Sequence, residues 1–173
     1  MDAKTIIQSF RDSRPLRDLH VADSLSIAPD TFQGEIKCIQ CQFSRFEAIC
    51  TVFNNPVSFT GCHFDVLSFY AAYFLKGLEI DGCEISAPLT FSSGGHNSKS
   101  MPITITNTRF KSFVDFEDCW FTGPLRLENV EFMQGTNLLG NQNNPMAVSF
   151  DVDPELLDVR GDLDINTYKP PVK

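Results

Sequence analysis

No stretch of this chain is long and apolar enough for a membrane-spanning helix, which takes about 20 such residues. The opening residues, Met1-Asp-Ala-Lys-Thr5, lack the basic-then-apolar layout of a signal peptide. These two absences lead us to expect a cytoplasmic protein with no membrane partner. Basic residues are in deficit, 14 Lys and Arg against 22 Asp and Glu, so the net charge is −8. Nucleic-acid binding needs a basic face, and direct contact with nucleic acid is therefore not expected. Histidine is scarce too. His20, His63 and His96 are scattered, and no Ser or Cys nucleophile is placed beside any of them, which argues against a catalytic triad. Cys38-Ile-Gln-Cys41 has the spacing of a zinc or redox pair, but a second pair is missing and zinc takes four ligands. We expect no metal, no cofactor and no catalytic residue, and hence not an enzyme.

What the chain does have is a five-residue rhythm. Val57-Ser-Phe59, Cys62-His-Phe64, Leu67-Ser-Phe69 and Ala72-Tyr-Phe74 each place a small or medium apolar residue two positions before a large one. Residues two apart on an extended chain point the same way. A simple strand would carry that alternation on, whereas here it breaks every five residues, so the chain must turn a corner while still facing one axis. Four such sides close a coil, and stacked coils bury one continuous core. The phase supports this: Ile36, Val57 and Leu78 lie 21 residues apart, as do Cys41, Cys62 and Cys83. Cys38, Cys41, Cys62, Cys83 and Cys119 all fall on inward positions, where a thiol acts as a small apolar filler. Only Cys50 is expected to face outward.

Over roughly residues 36–134 the chain resembles the pentapeptide-repeat family. The letters depart from the family's, with Cys, Val or Leu often standing where it favours Ala. The resemblance implies an all-β fold, a right-handed quadrilateral parallel β-helix. We read residues 1–173 as a single domain. Residues 1–30 form an N-terminal cap, in which Ile6, Ile7 and Phe10 have helical spacing and Pro15 bars continuation. Residues 31–134 form the coils, with the polar stretch 92–102 expected as a loop insertion in place of one missing side. Residues 135–173 are expected as an irregular C-terminal cap or arm: they cap the helix, cover its fourth side or mediate dimerisation. Within them Val148-Ser-Phe150-Asp-Val152, Leu157-Asp-Val159 and Leu163-Asp-Ile165 alternate like strands, so a degenerate further coil is the other reading.

Two surfaces are candidate sites. The outward positions of the fourth side include Val52, Tyr73, Leu75 and Trp120, and stacked apolar residues on a solvent face usually have something covering them. We expect either a partner or dimer surface, or a cover formed by the C-terminal segment or the 92–102 loop, and the sequence favours the cover. The third side carries Glu47, Asp115, Glu117 and Asp118, a short acidic patch. Some relatives with this fold imitate DNA on gyrase, and the patch raises that alternative. Four or five coils span only about 20–25 Å, less than the about 34 Å of one duplex turn, so mimicry would need a dimer to double the rod. Our leading expectation is a non-catalytic protein–protein interaction scaffold with a protein partner and a possible homodimer. The alternatives are a DNA-mimicking topoisomerase binder and a self-assembling structural β-helix protein.

Overall fold

The structure is a computed structural model that describes residues 1–27, 29–140 and 144–166. It is nearly all-β, and its parallel strands stack as a solenoid of about five full turns. The first side is a seven-stranded sheet that runs from Leu16–Arg17 through Ile36–Ile39, Val57–Thr60, Leu78–Asp81, Ile103–Thr106 and Leu125–Glu128 to Glu155–Leu157. Its register is the one the 21-residue step requires: Ile36 lies beside Val57, and Val57 beside Leu78. Early in the stack the second and third sides form one continuous strand per turn, as in Gln42–Ala48 and His63–Ser68. From the third turn they separate into short strands such as Glu84–Ile85 and Leu89–Thr90. Pro88 stands at that corner without an N–H to give to the ladder, which helps to break it. Thr31–Phe32, Val52–Phe53 and Tyr73–Phe74 open the fourth side.

Two of the four corners use left-handed backbone turn after turn. At the corner after the first side, Gln40, Gly61, Gly82, Asn107 and Asn129 share φ between 49° and 62°. The corner after the third side uses Cys50, Ala71, Ser93 and Asp118 in the same conformation. Gly and Asn tolerate this region well, whereas Ala71 accepts a cost.

The core is a set of phenylalanine stacks one turn apart. Phe43 stacks on Phe64 at 5.1 Å, Phe53 on Phe74 at 5.3 Å, Phe91 on Phe116 at 5.0 Å and Phe110 on Phe132 at 5.1 Å. The strand spacing of about 4.8 Å imposes these distances, because rings at equivalent positions must repeat with the backbone. As the repeat phase implied, five cysteines are buried and Cys50 alone is exposed.

The helix Ala3–Arg11 covers the N-terminal end. Asp2 caps it by accepting from the Thr5 N–H at 2.8 Å, while Ile6 and Phe10 are buried. Gly34 lies directly under the helix, where a Cβ would collide with the Phe10 carbonyl oxygen.

One expectation is corrected. Residues 92–102 do not leave a side missing, because Gly94–Asn97 are that side. Gly95 N–H donates to Ala72 O, Phe74 N–H to His96 O and Trp120 N–H to Gly94 O, and Asn97 bridges to Phe74 in parallel. Only residues 98–102 bulge from the stack. The sequence hid this because Gly95 and Asn97 occupy inward positions elsewhere filled by apolar residues. Their polar chemistry is nonetheless satisfied: Asn97 is 1% exposed, donates to Met101 O and Pro124 O, and accepts from Gly123 N–H.

Of the readings open for the C-terminal segment, its described part follows the further coil. Ser149–Phe150 pairs with Trp120–Phe121 and completes the fifth turn. Glu155–Leu157 pairs with Arg126–Glu128, and Arg160 bridges to Glu131, which begins an incomplete sixth. Residues 167–173 of the expected arm lie outside the described residues.

Candidate interaction surface

The repeat turns one residue per coil outward at the middle of the fourth side. Val52 lies in register with Tyr73, and the correction above puts His96 next, followed by Trp120. The ring centroids of Tyr73 and His96 are 4.2 Å apart, and those of His96 and Trp120 5.5 Å. Trp120 is 46% exposed, and its Nε1–H donates to Asp151 Oδ1 at 2.9 Å. That bond ties one edge of the indole and leaves a face open. His96 was missed from sequence, because its neighbours Gly94, Gly95 and Asn97 read as a turn. The signal that could have found it is the pattern of inward Gly95, outward His96 and inward Asn97.

Leu75 does not belong to the column. It sits at the following corner, half-buried, giving its N–H to Phe53 O and accepting from Ser98 Oγ. No described residue covers the column: Gly94–Asn97 are built into the side, and Ser149–Phe150 extend it.

The acidic set divides. Glu47 belongs to the first full turn and pairs with Arg45 at 2.8 Å. Ser68 and Thr90 intervene in register before Asp115, so Glu47 stands about 14 Å away at the usual strand spacing. A patch containing all four residues therefore does not form. Asp115, Glu117 and Asp118 remain together at the corner leading into Trp120. Asp115 accepts from Asn137 Nδ2 at 2.7 Å and from Glu117 N–H at 2.9 Å. Burial pushes the His96 imidazole below its ordinary pKa, and the Asp118 carboxylate opposes that shift.

The second side carries alternating charge: His63 lies 3.3 Å from Glu84, Lys111 2.5 Å from Glu84 and Arg109 2.7 Å from Glu131. Such half-exposed pairs contribute little, about 0–1 kcal/mol each. The Lys111 ammonium holds the Glu84 carboxyl below its usual range. The Cys38–Cys41 spacing is structural, since both thiols are buried and Cys41 Sγ points at Ile39 O. Burial drives the Cys38 and Cys119 thiols upward, away from the thiolate that reactivity requires. Among the described residues, no group of three or more His, Cys, Asp or Glu is arranged to hold a metal, and no helix is long and apolar enough to cross a membrane.

No family model, no curated protein and no solved structure matches the chain.

Proposed function

We propose that the protein is a non-catalytic, protein-binding scaffold of the pentapeptide-repeat type, acting in the cytoplasm through its fourth side. The observation that carries this reading is the contiguous column of Tyr73, His96 and Trp120 on the outer face of the stack, with Tyr73 and His96 half-buried and Trp120 exposed. Aromatic residues dominate interface energetics because they bury a large area at low entropic cost. The repeat phase, with Ile36, Val57 and Leu78 in register, supports the family reading. Six free cysteines suit a reducing compartment.

The DNA-mimic reading is weaker, since Glu47 is separated from the other carboxylates and the second side alternates in sign. Open-ended self-assembly is disfavoured by the helix over the N-terminal end. That leaves the edge at Glu155–Leu157, with Leu156 and Leu157 exposed, as the end where a homodimer could form.

A photo-crosslinking residue placed at Tyr73, and separately at Gln42 on the second side, tests the proposal in cells. A defined protein adduct is expected from position 73 and not from position 42, and Trp120→Ala should weaken that partner's binding at least about tenfold. Adducts from position 42 alone would overturn the fourth-side reading. So would potent, salt-sensitive inhibition of DNA supercoiling by the purified protein, in favour of mimicry.

A further inference from the structure

The aromatic column and the surviving carboxylates adjoin, and together they define a more specific partner than either does alone. We propose that the partner enters as a cationic, arginine-bearing segment. It lies over the corner between the third and fourth sides of the fourth turn, where Asp115, Glu117 and Asp118 lead into Trp120. This inference rests on the fourth side being the interface.

The charge distribution points this way. The third and fourth sides of the third to fifth turns, as described over residues 89–97, 114–122, 136–140 and 144–150, contain no Lys or Arg. Of the four bases in these turns, three sit on the first and second sides and are already engaged, Lys111 with Glu84, Arg109 with Glu131 and Arg126 with Glu155, while Lys99 stands on the exposed bulge that follows the fourth side of the third turn. Among the described residues, Asp115, Glu117, Asp118 and Asp151 make no ion pair. Asp118 is exposed, and its backbone N–H is taken by Met146 O while its carboxylate faces His96 electrostatically. Asp151 is held beside the indole by the Trp120 Nε1–H.

An apolar partner seated on Trp120 would strip water from these carboxylates and leave them without a countercharge, which is costly. Nucleic acid would be repelled by them. A guanidinium avoids both problems. Its planar face stacks on an indole or phenol ring, and its fork of N–H donors matches a carboxylate two bonds at a time. Lysine offers the charge without the plane or the fork, so arginine is the better fit.

Trp120 is the only tryptophan, so its fluorescence reports this corner alone. The intact protein is titrated with short peptides that alternate serine with arginine, lysine, glutamate or leucine. The arginine peptide is expected to change Trp120 emission saturably, the lysine peptide to bind several-fold more weakly, and the glutamate peptide to have no effect. Asp118→Asn combined with Asp151→Asn should weaken the arginine peptide about tenfold, while Glu47→Gln should leave it unchanged. Equal losses from Glu47→Gln and from the double substitution would mean general charge attraction and would overturn the proposal. Saturable binding of the leucine peptide without the arginine peptide would also overturn it, while leaving the fourth side standing as an interface. Adducts confined to position 42 in the crosslinking experiment sink the interface itself, and the two failures are thereby told apart.

Discussion

The fourth sides of the second and third turns follow the same path with opposite chemistry. In the second turn Ala72-Tyr73-Phe74 buries Phe74 against Phe53, with the rings 5.3 Å apart and 11° from parallel. In the third turn Gly95-His96-Asn97 buries an amide at the equivalent place, and Asn97 is as inaccessible as the phenyl ring it replaces. The first solution holds by dispersion and apolar burial, the second by three hydrogen bonds to the backbone. A solenoid position can take either, provided the polar occupant is fully satisfied. Among the described residues, no buried side-chain nitrogen or oxygen lacks a partner, so this condition is met. The two sides also differ in what they support. Phe74 is one ring of a ladder, whereas Asn97 ties its own strand to Gly123 and Pro124 of the next turn and to the bulge after it.

Deleting Gly94–Asn97 should have the largest effect. A loop insertion at 92–102 would tolerate this deletion; the structure predicts the reverse, because the deletion removes the fourth side of a turn and leaves Phe74 and Trp120 without their backbone partners. Loss of a cooperative thermal transition, followed by circular dichroism, is expected. Trimming only Lys99 and Ser100 from the exposed bulge should cost within about 0.5 kcal/mol, since surface loops tolerate length changes. If both deletions behave alike, Gly94–Asn97 is not a structural side.

Next in size is Phe74→Ala, which opens a cavity between Phe53 and Phe69 and should cost about 3–5 kcal/mol in chemical denaturation. A loss below about 1 kcal/mol would show that the ring is not part of the stack.

Asn97→Ala should cost less, about 1–3 kcal/mol, because the burden there is an unpaired Gly123 N–H and an unpaired Met101 carbonyl rather than a large void, while Pro124 O keeps the Ile103 N–H. Asn97→Leu sharpens the contrast. If apolar bulk were all that the position needed, leucine would rescue it. The hydrogen bonds predict that it does not, and urea midpoints for the two variants decide between these outcomes.

Most of the fold was legible because a solenoid writes its geometry locally. Residues two apart share a face and a five-residue unit makes a side, so the phase of Val57, Phe59, Cys62 and Phe64 fixed which side chains point inward. The buried cysteines and the exposed Cys50 follow from the same logic, and the helix carrying Ile6 and Phe10 from its own helical spacing. The site was half legible. Trp120 and Tyr73 were read as outward neighbours, but His96 between them was not, and Glu47 was grouped with carboxylates from which two strands divide it. Those decisions belonged to the tertiary structure. Which residues meet across turns depends on hydrogen-bond register and on each residue added at a corner. A position filled by a satisfied amide also leaves no apolar mark for a sequence pattern to find.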